Sequence, residues 1–150
     1  MAAALPGITR RSLHPDDAPA ASPNPEGLYL LDTMGELGKA YSLCDVAIVG
    51  RTFNGWGGSD PIEPIALGKP TIVGPDTQNF RDVVDAFVKA GGLIQTAEPA
   101  KEVVRLLDAP EVAAAQAEKG RSAIRERQGA SARHAEMLVK MMRNRGKTLE

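Results

Sequence analysis

Short apolar runs that alternate with helical patterns are the feature that most restricts how this chain can fold. Between residues 27 and 96 the runs are LYLLD, DVAIVG, PTIVG and GGLIQT, each bounded by glycine or polar residues. Runs that are apolar on both faces are typical of buried parallel strands. The alternation therefore predicts an α/β fold, with a parallel sheet of four or five strands flanked by helices.

Helical spacing of apolar residues fills the intervals between these runs. It predicts one helix over Met34–Leu43 and a second over Asn79–Ala90, which Gly91 ends. The stripe of the second helix is the cleaner one and consists of Phe80, Val83, Val84, Phe87 and Val88.

The remaining sequence predicts the domain organisation. Residues 1–26 contain a partial strand, GITRRSL, and a Pro/Ala-rich loop, PDDAPAASPNPE. Residues 27–150 are predicted to form the α/β domain, whose helical C-terminal tail spans Glu98–Arg145. In that tail Pro110 opens a helix, and Gly129 separates it from the last one.

Composition excludes several classes of function. The chain has 150 residues, a formal net charge of -1 and one cysteine, Cys44. The charge balance gives no indication of nucleic-acid binding. A lone cysteine excludes an internal disulfide and a multi-cysteine metal site, and neither His14 nor His134 has partner ligands nearby in sequence. We therefore expect no metal and no cofactor, and no apolar run is long enough to span a membrane.

Three strand–helix junctions have residues suited to ligand binding, which in open α/β sheets occurs where strands end and helices begin. The first junction is DTMGELG, Asp32–Gly38. Thr33 with Glu36 fits a capping box, in which Glu36 reaches back to a backbone N–H. Alternatively, Gly35 leaves backbone N–H groups open to an anion at the helix N-terminus.

The second junction is GGSDPIEP, which begins at Gly57. Gly57 and Gly58 permit a close approach of a ligand to the backbone. Asp60 before Pro61 is typical of an N-cap followed by proline at the first helical position. Glu63 then falls in the first turn, where it either stabilises the helix dipole or accepts hydrogen bonds from the paired hydroxyls of a ribose.

The third junction is GPDTQNF, where Thr77 is a candidate N-cap beside the polar Asp76, Gln78 and Asn79. We expect all three junctions at one edge of the sheet. None of them pairs a nucleophile with a general base, so no catalytic residue is predicted. Residue spacing alone indicates a ligand that contains phosphate and sugar.

A family resemblance extends this interpretation. The segment LLDTMGELGKAYSLCDVAIVGRTF, followed by GGSDPIEPIALGKPTIVGPDTQNFRDVV, resembles the C-terminal half of 3-deoxy-D-manno-octulosonic acid (Kdo) transferases. The family's usual GGHNPLEP is here Gly57–Pro64, and its usual GPHTxNF is here Gly74–Phe80. Ser59, Asp60 and Asp76 stand where that family has His, Asn and His. The two acids place negative charge near the expected anionic ligand.

The resemblance implies a fold and a function. The fold is half of a GT-B glycosyltransferase, two Rossmann-like domains facing across a cleft. The implied reaction transfers Kdo from CMP-Kdo to a lipid A precursor in lipopolysaccharide biosynthesis, at the cytoplasmic face of the inner membrane. This half binds the nucleotide-sugar donor, with no metal or cofactor. The implied donor-binding residues are Met34, Gly35, Glu36, Gly57, Gly58, Ser59, Asp60, Glu63 and Asn79.

The family's N-terminal acceptor domain, with its catalytic acid and membrane anchor, has no counterpart in these 150 residues. We therefore expect either part of a longer transferase, the interpretation we favour, or a naturally short relative, which in both cases binds the donor without turning it over. Two alternatives remain. One is a non-catalytic module that binds a nucleotide sugar or a partner. The other is a different GT-B enzyme, such as one that uses UDP-sugars, which a preference for CMP or UDP would distinguish.

Overall fold

The computed structural model describes residues 8–13, 27–127 and 137–142. Strands and helices alternate through residue 95, as the sequence predicts. The strands are β1 (Ile8–Arg10), β2 (Leu28–Leu30), β3 (Ala47–Ile48), β4 (Thr71–Val73) and β5 (Ile94–Gln95). The helices are α1 (Leu37–Leu43), α2 (Ile62–Ala66), α3 (Arg81–Ala90), α4 (Pro99–Asp108) and α5 (Pro110–Arg127), with 3₁₀ turns at Arg11–Leu13 and Gln78–Phe80. Residues 137–142 are also helical.

The chain divides into two compact units, Met1–Cys44 and Asp45–Glu150. In the first unit β1 and β2 pair in parallel, with Ile8 opposite Leu28. The partial strand predicted in GITRRSL is therefore present. The predicted loop at Pro15–Glu26 lies outside the described residues, and the domain boundary after residue 26 stays a prediction.

The second unit contains a parallel sheet in the order β3-β4-β5. Ile72 of β4 lies opposite Ile48 on one side and Ile94 on the other. The parallel α/β fold is confirmed. The expectation of one sheet of four or five strands is wrong, because the run LYLLD pairs with the strand that precedes it and not with the later three.

The core of the second unit packs helices against the central strand. Every residue of β4 is buried, whereas Ile48 on β3 is 47% exposed. Burial on both faces is therefore confirmed for the central strand. It is wrong for β3, which lies at an edge of its sheet, and for β2 of the first unit, on which Leu28 is 60% exposed. Apolar side chains of α2, α3 and α5 complete the core, and removing them from water drives the packing. The core cluster is Val49, Ile65, Val73, Val84, Phe87, Leu93 and Ala123.

Most helix ends follow local sequence signals. Gly91 ends α3 with φ 72°, and the N–H of Gly92 donates to the carbonyl of Phe87, as in a Schellman motif. Pro110 opens α5 as predicted, while Gly129 lies outside the described residues. Helix α1 begins at Leu37, three residues later than the apolar spacing predicts, because the preceding residues form a turn at Gly35 with φ 82°.

No helix within the three described ranges is long and apolar enough to cross a membrane.

Candidate functional site

Thr52 joins the carboxyl ends of β3 and β4. Its hydroxyl donates to the carbonyl of Val49 (2.6 Å) and accepts from the N–H of Gly74 (2.8 Å). Its carbonyl accepts from the N–H of Asp76 (3.0 Å). A Cβ added at Gly74 would lie 2.0 Å from the Thr52 carbonyl oxygen, so only glycine fits there. The second and third junctions are thus held together through a buried threonine.

The glycine pair of the second junction packs directly on the third. The N–H of Gly57 donates to Oδ2 of Asp76 (3.0 Å), and the N–H of Asn79 donates to the carbonyl of Gly57 (2.9 Å). The N–H of Gly58 donates to the carbonyl of Arg51 (3.0 Å). Both glycines have positive φ, and a Cβ at Gly57 would lie 2.5 Å from Nδ2 of Asn79.

These contacts show that Gly57 and Gly58 have a structural role in the folded chain. The close approach that they permit is between two backbone segments, and their N–H groups already have acceptors. A phosphate would compete with Asp76 for the Gly57 N–H. Ligand contact at Gly57 and Gly58 therefore stays a prediction. Oδ1 of Asp76 is buried and has no hydrogen-bond partner within the described part of the chain.

The start of α2 presents Glu63 to solvent. Oδ1 of Asp60 accepts a hydrogen bond from the N–H of Ile62 (2.8 Å), but the N-cap of α2 is Pro61 and not Asp60, and the helix begins one residue later than predicted. Glu63 lies in the first turn, as expected. Its carboxylate is exposed and accepts no hydrogen bond from the residues that the structure describes. Ser59, one residue before Asp60, is half-buried.

The candidate cap of the third junction acts differently from the prediction. Thr77 does precede the 3₁₀ turn, but its hydroxyl makes no capping hydrogen bond. It accepts instead from Nε2 of Gln95 (3.2 Å), a residue that also donates to the carbonyl of Gly74 (3.3 Å). Gln95 therefore ties β5 to the same edge of the sheet. The side chain of Asn79 stays exposed.

In the first unit, the predicted capping box at Thr33 and Glu36 is wrong. Glu36 is itself the N-cap of α1 and makes no side-chain capping hydrogen bond. Its carboxylate is drawn to Arg11, whose Nε lies 3.1 Å from Oε2 and whose Nη2 lies 3.1 Å from Oε1. The hydroxyl of Thr33 donates to the same carboxylate. Between Thr33 and Glu36, Met34 is 98% exposed.

These hydrogen bonds stabilise the ionised carboxylates of the first junction. The side-chain and backbone donors of Ser12, helped by Arg10, lower the pKa of Asp32 to about 2. The hydrogen bond from Thr33, followed by that from Arg11, lowers the pKa of Glu36. Hydrogen bonding to the charged form is the dominant cause in both cases. Arg11 balances the charge of Glu36, whereas the carboxylate of Glu63 has no cationic partner in the described residues.

The candidate residues thus fall into two groups. Residues Gly57 to Glu63 and Asn79 belong to the second unit, where hydrogen bonds join Gly57 to both Asn79 and Asp76. Met34, Gly35 and Glu36 belong to the first unit. Sequence reasoning missed Thr52 and Gln95. The only local signal for Thr52 is a threonine just after a strand, which is common. Among the described residues no cluster of three His, Cys, Asp or Glu side chains could hold a metal ion.

Comparison with known proteins places these residues in a family context. No protein-family model matches the chain. The chain is 43% identical over 79 residues to a 3-deoxy-D-manno-octulosonic acid transferase of Bordetella pertussis, an alignment that covers 52% of this chain and 18% of that protein. It is 34% identical over 82 residues to the Haemophilus influenzae transferase of the same name, covering 55% of this chain and 19% of that protein. The match thus spans about a fifth of these relatives' length.

A solved structure matches more of the chain. The C-terminal CMP-Kdo binding domain of WaaA from Acinetobacter baumannii superposes with a TM-score of 0.69 at 30% sequence identity. The match covers 78% of this chain and 60% of that one. The predicted resemblance to the C-terminal half of Kdo transferases is therefore confirmed, in sequence and in fold.

Proposed function

We propose that this chain, a relative of the C-terminal half of Kdo transferases, binds the nucleotide-sugar donor CMP-Kdo. The observation that supports this most directly is the match to a CMP-Kdo binding domain, at a TM-score of 0.69. The fold alone does not specify a ligand. At 30% identity, however, the match includes sequence as well as architecture.

Glu63 is the residue to which we assign the ribose. It lies in the first turn of α2, after β3, at the edge of the sheet where ligands of α/β proteins bind. Its carboxylate has two acceptor oxygens, which match a vicinal diol, and it is exposed with no described partner to displace.

Four of the remaining candidates of the second unit lie on the segment just before Glu63, and Asn79 is hydrogen-bonded to that segment through Gly57. We assign donor contacts to Gly57, Gly58, Ser59, Asp60 and Asn79. Asn79 supports this because its amide is exposed while its backbone is held to Gly57. Met34, Gly35 and Glu36 of the first unit are also proposed as donor contacts, and Met34 is 98% exposed. Because Glu36 already pairs with Arg11, its role would be to orient this turn.

Only donor binding is assigned to these residues. Transfer of Kdo to a lipid A precursor, at the cytoplasmic face of the inner membrane, is the activity proposed for the transferase that such a donor-binding part would serve. The aligned relatives are Kdo transferases of which the match covers 18% and 19%. The expectation of binding without turnover can be checked by assaying the chain with CMP-Kdo and a lipid A precursor.

An NMR titration tests the binding proposal. We expect CMP to shift the backbone amide signals of Glu63, Asn79 and Gly58, with smaller shifts at Gly35 and Glu36. UMP and UDP are the comparison ligands, because a UDP-sugar enzyme would bind them more tightly than CMP. No shift at millimolar CMP, or shifts confined to α4 and α5, would contradict the proposal, and tighter binding of UDP would favour the alternative.

A further inference from the structure

Arg51 adopts a backbone conformation that is uncommon for its residue type. Its φ is +62°, and among the described residues it is the one non-glycine with positive φ. Left-handed conformations are unfavourable for side chains with a Cβ, and such outliers concentrate at functional sites. The neighbouring structure holds the backbone there, since the carbonyl of Arg51 accepts the N–H of Gly58 (3.0 Å) and Thr52 follows, buried.

The side chain of Arg51 lies on an exposed aromatic ring. The guanidinium carbon is 5.8 Å from the centroid of the Trp56 indole, and Nη2 lies 3.5 Å from the Trp56 carbonyl oxygen. Trp56 itself is 63% exposed. No carboxylate forms an ion pair with Arg51 in the described part of the chain, so the ring holds an arginine whose charge is not neutralised. The ring thus orders a guanidinium that remains able to donate.

The position of this pair connects it to the candidate site. Trp56 directly precedes Gly57, which contacts Asn79, and Arg51 directly follows Gly50 at the carboxyl end of the β3 run. The nearby ionisable side chains on this segment, Asp60 and Glu63, are acidic. An anionic ligand at this edge therefore needs a cation, and Arg51 is the one that the 51–58 loop supplies.

We propose that Arg51, ordered by Trp56, binds an oxyanion of the ligand at this edge. The inference rests on the proposed function for the identity of the ligand, and the oxyanion is either the nucleotide phosphate or the carboxylate of an acidic sugar. A guanidinium suits both, because its planar fork matches two oxygens of either group. Arg51 and Trp56 thus form a further specificity element, outside the residues predicted from the sequence.

Replacement of Arg51 by glycine separates this role from a structural one. Because glycine adopts a positive φ without steric cost, Arg51→Gly does not lower the melting temperature. The same variant weakens the binding of CMP-Kdo, which carries both oxyanions, about tenfold, since charge-assisted hydrogen bonds are lost. Trp56→Ala has a smaller effect, about threefold, because the arginine remains but is less ordered. Lys101→Gln, on an exposed cation of α4, is the control for general charge and leaves the affinity unchanged.

The choice of ligands identifies the oxyanion and keeps the test independent of the proposed function. Trp56 is the single tryptophan, so its fluorescence and indole N–H signal report on this loop. If Arg51→Gly lowers the affinity for CMP but not for cytidine, the oxyanion that Arg51 binds is the phosphate. If Arg51→Gly lowers the affinity for CMP-Kdo but not for CMP, the oxyanion is the carboxylate of the sugar. Equal losses for CMP and cytidine, no loss for any of these ligands, or an equal effect of Lys101→Gln would overturn the inference.

Pyrophosphate is the probe if the chain binds no CMP. If pyrophosphate shifts the Trp56 indole signal and Arg51→Gly abolishes that shift, the inference of an oxyanion site stands although the proposed function is wrong. No response to pyrophosphate in that case would overturn the inference as well.

Discussion

The first junction and the joined second and third junctions use the same residue types in opposite ways. At the first, side chains bind side chains: Glu36 is held by Arg11 and Thr33, and Asp32 by Arg10 and Ser12. At the others the backbone is held, through Thr52 and the glycine amides, and the carboxylate of Glu63 stays free. A glycine beside an acid therefore indicates a strand–helix junction, but not whether the acid is available to a ligand.

The two arrangements also differ in how much stability they contribute. Ion pairs at the surface, such as Arg10–Asp32, contribute little to stability because water and salt screen the two charges. A buried N–H such as that of Gly74 costs about 1–3 kcal/mol if it loses its acceptor. We therefore expect substitutions at the second and third junctions to unfold the sheet edge, and those at the first to have mild effects.

The largest expected effect is that of Gly74→Ala. The new Cβ would lie 2.0 Å from the carbonyl oxygen of Thr52, a backbone atom that cannot move alone. We expect a loss of more than about 4 kcal/mol in the free energy of unfolding, measured by urea denaturation. Gly35→Ala, which meets no atom within 4 Å but has positive φ, should cost only about 1–2 kcal/mol. Gly50→Ala is the neutral control, and equal costs at Gly74 and Gly50 would contradict the prediction.

Thr52→Val tests the hydrogen bonds of the same link without adding volume. It leaves the buried N–H of Gly74 without its acceptor, so we expect a loss of about 1–3 kcal/mol in unfolding free energy. The matched control is Thr71→Val, which is equally buried but whose hydroxyl only donates to the carbonyl of Lys69. The prediction is wrong if Thr71→Val lowers the free energy of unfolding more than Thr52→Val does.

Glu63→Gln tests whether the free carboxylate binds a ligand. If it accepts two ribose hydroxyls, CMP affinity falls about ten- to a hundredfold, because charge-assisted hydrogen bonds are worth roughly 1.5–3 kcal/mol. The melting temperature should stay unchanged. Glu111→Gln, at the first turn of α5, controls for the helix dipole, which contributes about 0.3–1 kcal/mol. Normal CMP binding together with early melting would make Glu63 structural.

Acidification should produce the smallest effect, and at the first junction. The pKa of Asp32 is about 2 in the folded chain against 3.8 ordinarily. A depressed pKa means that its contribution to stability is complete above pH 3.8 and is lost as the pH falls towards 2. The amide proton of Ser12, which donates to Oδ1 of Asp32, should titrate with a midpoint near 2. The titration should vanish in Asp32→Asn, and a midpoint near 3.8 would contradict the assignment.

Local sequence signals determined much of this fold. The apolar runs predicted all four strands that the structure describes after residue 26, and Gly91 and Pro110 predicted the helix boundaries at which they stand. These features follow from side-chain periodicity and from the backbone restrictions of glycine and proline, which act within a few residues. The family resemblance, which the comparisons confirm, likewise depends on the order of short motifs.

Tertiary structure alone decided which partners the candidate residues have. Glu36 could have capped its own helix, but Arg11, 25 residues earlier, offers a charged fork that a backbone N–H cannot match. Thr52 accepts from Gly74 only because β3 and β4 pair side by side. Such hydrogen bonds join residues that sequence spacing leaves unrelated. Hence the sequence could place the carboxylates of Glu36 and Glu63 at equivalent junctions, and only the folded chain shows that one is occupied and the other free.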